Sequence, residues 1–334
     1  MSADLNSSIA DLLLEAGIST VNMEVAQIDD GGNNKAFAVQ TKSKKYLAKI
    51  YYSHPSDTRN RLNAEYSFLK YARKIGIECV PKPIFSIPQR NMGLYEFVQG
   101  RKLTLSELEA QHIYQAAKFV HRLNEKLKQD NVLPTASEGC FSIEKHLLLI
   151  DLRVKKLLSL PITTDIDRQA RSFVIELDSV WKKLKDVIVA KSGSISIQLN
   201  AADRCISPSD FGFHNALLKD NGEICFIDFE YAGWDDPAKM IGDFFSQPAI
   251  PVPLKYFDNF ISEALGYSTN RHQLVERAHL LFPLFQIKWC CIFLNDFLPN
   301  AARRRQFSNP TSNPLQRKRL QLEKAQQFFY SRIK

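Results

Sequence analysis

No Cys-x-x-Cys pair occurs in this chain, although it carries six cysteines. Four of the six stand well apart, and their neighbours are mostly apolar. That argues against a disulfide framework or a zinc site and for buried free thiols. Free thiols fit a reducing compartment, here the cytoplasm. The first residues, Met1 to Ser8, lack the basic-then-apolar pattern of a signal peptide. A long hydrophobic run is missing too. The most apolar stretch, Leu280 to Leu294, is short and interrupted by Gln286 and Lys288, so it reads as a buried helix and not a membrane span. There is no internal repeat. The charge excess is mild: 44 basic against 36 acidic residues give +8. It suits anionic ligands such as nucleotides or sugar phosphates. It is too small to establish nucleic-acid binding, for which a solvated basic surface is the plainer reading.

What is present is an ordinary globular composition, 45% hydrophobic and 24% charged, over 334 residues. That length suits one large domain or two lobes. Leu5 to Ala16 has helical spacing. Asn22 to Asp29, Lys35 to Thr41 and Lys45 to Tyr52 are short segments of alternating character and read as strands. A helix is expected from about Thr58 to Lys74, capped by Ser56-Asp57 and stopped at Gly76. Strands follow at Lys82 to Ile87 and Met92 to Val98. This makes a small antiparallel sheet with one helix packed on it. After Gln99-Gly100 helices dominate: Ser106 to Leu127, Ile143 to Leu158, Asp165 to Val189, Pro237 to Phe245, Leu254 to Leu265, Arg271 to Phe297 and Pro314 to Arg332. A short β-like interlude runs from Cys205 to Phe229. Segregated strands and helices indicate an α+β class.

The chemistry concentrates between Ile206 and Glu230. Asp210 and Asn215 flank a Phe-Gly-Phe-His loop. Asp228 ends the apolar run Ile224-Cys225-Phe226-Ile227, and Asn221-Gly222 predicts a hairpin turn between that run and Ala216-Leu217-Leu218. The hairpin brings Asn215 and Asp228 to one end, where an amide oxygen and a carboxylate suit magnesium held with substrate phosphates. Asp210 beside them is free to orient or deprotonate a hydroxyl nucleophile. The competing reading is two strands capped by polar turn residues. Upstream, Lys49 lies inside an apolar strand and needs an anionic partner if it faces inward. Glu65, one helix later, supplies it; a solvent-facing edge position for Lys49 is the alternative. Gly31-Gly32-Asn33-Asn34 is a turn whose N–H groups suit phosphates, or a plain hairpin turn. Tyr95-Glu96-Phe97-Val98-Gln99-Gly100 leads from sheet to helices and suits adenine recognition through backbone groups.

In this order the motifs resemble the aminoglycoside phosphotransferase and choline kinase family, relatives of the protein kinases, from about residue 20 to about residue 300. The family's catalytic motif, His-x-Asp-x-x-x-x-Asn, corresponds to Pro208-Ser209-Asp210-Phe211-Gly212-Phe213-His214-Asn215. Its magnesium motif corresponds to Ile227-Asp228-Phe229-Glu230, continuing Tyr231-Ala232-Gly233-Trp234-Asp235-Asp236-Pro237. The resemblance implies a bilobal protein-kinase-like fold, with an N-lobe over 1–98 covering the nucleotide and a helical C-lobe over 99–334. It implies an ATP- and Mg2+-dependent transfer of the γ-phosphate to a hydroxyl of a small molecule, a sugar or amino alcohol. Asp210 is then the catalytic base, and Asn215 and Asp228 are the magnesium ligands. Lys49 holds the ATP phosphates, positioned by Glu65. Gly31, Gly32 and Asn33 cover the phosphates, and Glu96 and Val98 lie in the adenine connector. Asp243 is expected to brace the catalytic loop by accepting backbone hydrogen bonds.

The sequence departs from the pattern at Pro208, where the motif has His; Ser207 or Ser209 is placed to supply a replacement hydrogen bond. That departure motivates a competing reading, a pseudokinase-like module that holds nucleotide without turnover. His214 either contacts the γ-phosphate or acceptor, or donates a structural hydrogen bond. Lys288 and Trp289 either bind a sugar acceptor or pack, with Lys288 paired to an internal acid. Arg303-Arg304-Arg305 and Arg317-Lys318-Arg319 read as solvated faces, with binding to an anionic acceptor, RNA or a membrane surface as the minority alternative.

Overall fold

Alternating side chains near the N-terminus build a five-stranded sheet between two helices. The computed structural model describes residues 3–28, 34–55, 57–126, 133–299 and 313–334. After α1 (Ala3–Glu15) come β1 (Glu24–Ile28), β2 (Lys35–Gln40), β3 (Lys45–Ile50), α2 (Arg61–Lys74), β4 (Pro83–Ile87) and β5 (Met92–Glu96). The strands pair antiparallel in the order β1-β2-β3-β5-β4. Period-two alternation sends Phe37, Val39, Ala48 and Leu94 to one face, where Ile9, Leu12 and Leu13 of α1 cover them. Each of those three side chains is fully buried and contributes roughly 1.5–3 kcal/mol. The opposite face carries Leu47, Tyr51 and Tyr95 toward Leu62, Phe68 and Leu69 of α2. The sheet therefore carries two helices and not the single one expected, because the N-terminal helix has an apolar stripe of its own to bury.

The start of α2 also differs from expectation. Its N-cap is Asn60, whose side chain accepts from the N–H of Asn63 at 3.0 Å. Asp57 is turned instead to the guanidinium groups of Arg59 and Arg61, and Ser56 lies outside the described residues. The helix ends as expected, with Gly76 at φ +84°.

The remainder is mainly helical: α3 (Ala110–Asn124), α4 (Ile143–Leu158), α5 (Asp165–Lys191), α6 (Pro237–Ser246), α7 (Phe257–Ala264), α8 (Arg271–Phe293) and α9 (Pro314–Arg332). Short strands β6 (Arg101–Lys102), β7 (Cys205–Ser207), β8 (Ala216–Leu218), β9 (Ile224–Phe226) and β10 (Gly233–Asp235) form two small sheets, β6-β8-β9 and β10-β7. Strands β6 and β10 are two and three residues long, too short to show a period. Helix α8 with its following turn is long and apolar enough to cross a membrane, but 67% of its most apolar window is buried inside the fold. All six cysteines are free thiols, and five are buried. One apolar cluster joins α2 to the helical region; Phe68 of α2 stacks on Phe229 at 4.5 Å between ring centroids. The segments on either side of residue 98 thus share a core at this seam.

Candidate active site

The alternation that buries Leu47 and Tyr51 also aims Lys49 at α2. On that helix, Leu62, Glu65, Leu69 and Ala72 form the buried face at i, i+3, i+7 and i+10. Lys49 Nζ donates to both oxygens of Glu65, at 2.8 and 2.9 Å, and to Asp228 Oδ1 at 2.9 Å. Tyr51, two residues along the same strand face, donates its hydroxyl to Glu65 at 2.6 Å and lies 2.7 Å from the hydroxyl of Tyr95. Gly93 makes this possible, since a Cβ there would lie 2.5 Å from the Tyr95 hydroxyl oxygen. Burial pulls the Lys49 ammonium down, but attraction to Asp228 and Glu65 outweighs it and holds the group above its ordinary value. Burial likewise pushes Asp228 up, and the Lys49 charge overrides it, leaving that carboxyl below its usual range.

The β8–β9 hairpin brings the other two residues in. Gly222 turns at φ +81° and the strands pair Ala216 with Phe226. The next rung is Ile227 N–H to the Asn215 carbonyl at 2.9 Å, so Asn215 and Asp228 flank one end of the hairpin. The Asn215 amide nitrogen donates to the Asp210 carbonyl at 3.0 Å. This ties the two ends of the Phe-Gly-Phe-His loop together. Phe211 and Phe213 are buried among Phe226 and Phe244 and anchor the loop from beneath. The backbone above them is strained. Ser209, Asp210 and Asp228 have φ of +47°, +35° and +67°, half of the six non-glycine residues with positive φ among the described residues. Such conformations cost on the order of 1–3 kcal/mol each and persist where surrounding contacts enforce them.

Of the remaining expectations, Ser207 Oγ accepts from Ser209 N–H at 3.0 Å, a bond inside the loop. His214 Nε2 lies 3.4 Å from Asp210 Oδ1, and its carbonyl accepts from Lys102 at 2.9 Å. Glu96 ends β5, exposed, with its N–H donated to the Lys82 carbonyl at 2.9 Å. Val98 is half-buried just beyond that strand. Gly31, Gly32 and Asn33 lie outside the described residues, as do Arg303, Arg304 and Arg305. Lys318 is bonded to Asp167 at 2.9 Å, and Arg317 lies 3.7 Å from Asp296, so that cluster is partly tied into the fold.

Asp243 does not brace the loop through backbone bonds as expected. Its carboxylate takes Lys288 at 2.6 Å and lies 3.4 Å from Lys239, which is bonded at 2.7 Å to Asp235. The helix α6 places Asp243 one turn beyond Lys239, facing α8 and not the loop. Lys288 is thereby the structural lysine of the two alternatives. Asp236 caps α6 through the N–H of Ala238 at 2.9 Å and takes Arg277 at 2.7 Å.

Sequence reasoning missed Tyr51 and the contact between Asn34 and Glu230. Tyr51 was open to detection, because period two puts it beside Lys49. Asn34 is buried and donates to Glu230 at 2.6 Å, and Arg61 lies 3.3 Å from the same carboxylate. Burial and the nearby Asp228 charge push Glu230 up to about 7. No periodicity signals a contact 196 residues apart.

Asn215 and Asp228 form a hard, oxygen-donor pair, and 35% of the Asp228 side chain is exposed. Among the described residues no group of three or more His, Cys, Asp and Glu could hold a metal. An amide and a carboxylate fit magnesium completed by phosphate oxygens and water, and do not fit an all-protein cage.

A family model described as the phosphotransferase enzyme family matches residues 24–239. No curated protein matches the sequence. Among solved structures, a choline kinase from Cryptosporidium parvum Iowa II is 18% identical, with a TM-score of 0.58 over 98% of this chain and 99% of that one. A choline/ethanolamine kinase family protein from Mesorhizobium loti is 14% identical, with a TM-score of 0.62 over 97% and 94%. A spectinomycin phosphotransferase in complex with ADP and spectinomycin is 13% identical, with a TM-score of 0.59 over 96% and 98%. These likenesses span nearly the whole chain and show that it has the bilobal α+β kinase-like fold.

Proposed function

The chain belongs to the phosphotransferase enzyme family, and we propose that it is a small-molecule kinase that moves the γ-phosphate of ATP to a hydroxyl of a sugar or amino alcohol. The observation that carries this reading is Lys49, held between Glu65 and Asp228 by hydrogen bonds of 2.8–2.9 Å. A buried ammonium that binds Glu65 and also a carboxylate 179 residues further along the chain is suited to anchor phosphates where they meet the hairpin. The ADP-bound relative and the acceptors named for the other two support nucleotide use and an alcohol acceptor.

In this mechanism residues 1–98 cover the nucleotide and residues 99–334 carry the catalytic loop. Asn215 and Asp228 would hold Mg2+, which when bound neutralises charge on the transferred phosphoryl group. Lys49 orients the phosphates, and Glu65, fixed by Tyr51, keeps Lys49 in place. Glu96 and Val98 border the adenine. Asp210 accepts the proton of the acceptor hydroxyl as the oxygen attacks phosphorus. Its strained backbone and the Asn215 bond to its carbonyl hold the carboxylate in position before substrate arrives.

The test is ADP release from purified protein with magnesium and ATP across a panel of sugars and amino alcohols, repeated with Asp210→Asn. A general base contributes about 100- to 10,000-fold. Turnover in the variant should fall by that order while magnesium-dependent thermal stabilisation by ATP persists. Unchanged transfer in Asp210→Asn would remove the assignment. ATP binding with no transfer by the native chain to any panel member would favour a nucleotide-holding module.

A further inference from the structure

A large cavity lies beside this site, between the start of α2, residues 134–138, α4, the end of α8 and residues 230–232. Its volume is about 780 Å3. Three carboxylates line it, Asp57, Glu138 and Glu230, and each already has a cation. Asp57 takes Arg59 through two bonds of 2.7 Å and Arg61 through another of 2.7 Å. Glu138 is paired with Arg153. Glu230 lies 3.3 Å from Arg61 and accepts from Asn34.

The cations of the wall are not all matched in return. Lys156 is exposed on α4, and among the described residues it forms no ion pair. It stands three residues after Arg153, hence on the same face of the helix. Arg153 gives one nitrogen to Glu138, while its Nε is buried without a hydrogen-bond partner. An entering cation would meet carboxylates that are already bound, and Lys156 would repel it. An entering anion would meet an ammonium and an N–H donor on one helix face. The neutral part of the wall includes the rings of Tyr52 and Tyr231 and the amides of Asn63 and Asn295. Aromatic faces with amides between them suit a ring bearing several hydroxyls.

We propose that this cavity receives the hydroxyl acceptor, and that the acceptor is a polyhydroxylated ring carrying an anionic group, carboxylate or phosphate, held by Lys156 and Arg153. This rests on the kinase reading for its catalytic meaning, and it selects the sugar over the amino alcohol. Glu230, two residues beyond Asp228, is the wall residue that joins the cavity to the phosphate end.

The test is isothermal titration of the full chain at low salt, without nucleotide, using four hexose probes matched in ring size. They are glucuronate, glucose 1-phosphate, glucose and glucosamine. One anion at least should bind about tenfold tighter than glucose, the factor one charge-assisted hydrogen bond supplies, and glucosamine should bind weakest. The two anionic arms separate carboxylate from phosphate recognition. Lys156→Glu changes an exposed side chain and should reverse the order of glucosamine and the anions. Glucosamine binding as tightly as the anions, no binding by any probe, or an unchanged order in Lys156→Glu would overturn the proposal. A parallel thermal-shift measurement with magnesium and ATP reads the kinase assignment separately. Loss of stabilisation there would remove that assignment while the titration still decides the charge preference of the cavity.

Discussion

Lys49 and Lys239 are both buried, each between two carboxylates. Around Lys239 the partners are local. Asp235 and Asp243 stand four residues before and after it, with side chains 0% and 8% exposed. Around Lys49 the partners are remote. Glu65 comes from α2, and Asp228 follows β9 with 35% of its side chain exposed and φ +67°. A buried ion pair alone therefore does not separate the proposed phosphate-binding cluster from scaffold. The difference is that one cluster keeps a partner open to solvent on strained backbone, while the other is dry and relaxed.

The comparison breaks first on stability. Removing one partner of a buried charge pair costs about 3–5 kcal/mol. Lys239→Met should lose that much in urea unfolding, because Asp235 is left buried without its cation and has no water to turn to, while Asp243 keeps Lys288. Lys49→Met should lose less, since Asp228 can rehydrate and buried Glu65 keeps the Tyr51 hydroxyl, yet it should lose most of its phosphotransfer. Equal stability losses would erase the distinction between the open and the dry cluster.

Tyr51→Phe sharpens the same point. It removes the hydroxyl that donates to Glu65, a bond to a charged group contributing about 1.5–3 kcal/mol. The expected result is a several-fold rise in KM for ATP with the acceptor KM unchanged. Both constants moving together would mean that Tyr51 acts only through packing.

A separate test is pH dependence. Glu230 is raised from an ordinary 4.5 to about 7. A carboxyl raised on folding contributes stability below its unfolded value, and that contribution is lost as pH rises through the folded value. Native protein in chelator should thus lose thermal stability between pH about 4.5 and about 7, a loss absent from Glu230→Gln. Parallel melting profiles for the two proteins across that window would contradict the shift.

Much of the fold was legible because its signals are local. Helix α4 and helix α9 run over the residues expected, and the β8–β9 hairpin turns at Asn221-Gly222. The strands β6 and β10 were hidden because each is paired with a segment far away in sequence and is too short to show alternation. The start of α2 was displaced because Asp57, a good cap in isolation, is drawn to Arg59 and Arg61. Asp243 was misassigned for a similar reason: its partner Lys288 lies 45 residues away on α8.

By itself the sequence singled out Lys49, Glu65, Asp210, Asn215 and Asp228 as candidates, through the motif resemblance together with period two, the helix repeat and a hairpin turn, which are short-range rules of backbone geometry. Only the tertiary structure decided that Lys49 reaches Asp228 as well as Glu65, that Tyr51 and Tyr95 stand behind Glu65, and that every carboxylate of the neighbouring cavity is already bound. Those outcomes depend on which side chains meet across the seam between sheet and helices. Charges and hydroxyls select partners there by distance and desolvation, and neither is written in the order of residues along the chain.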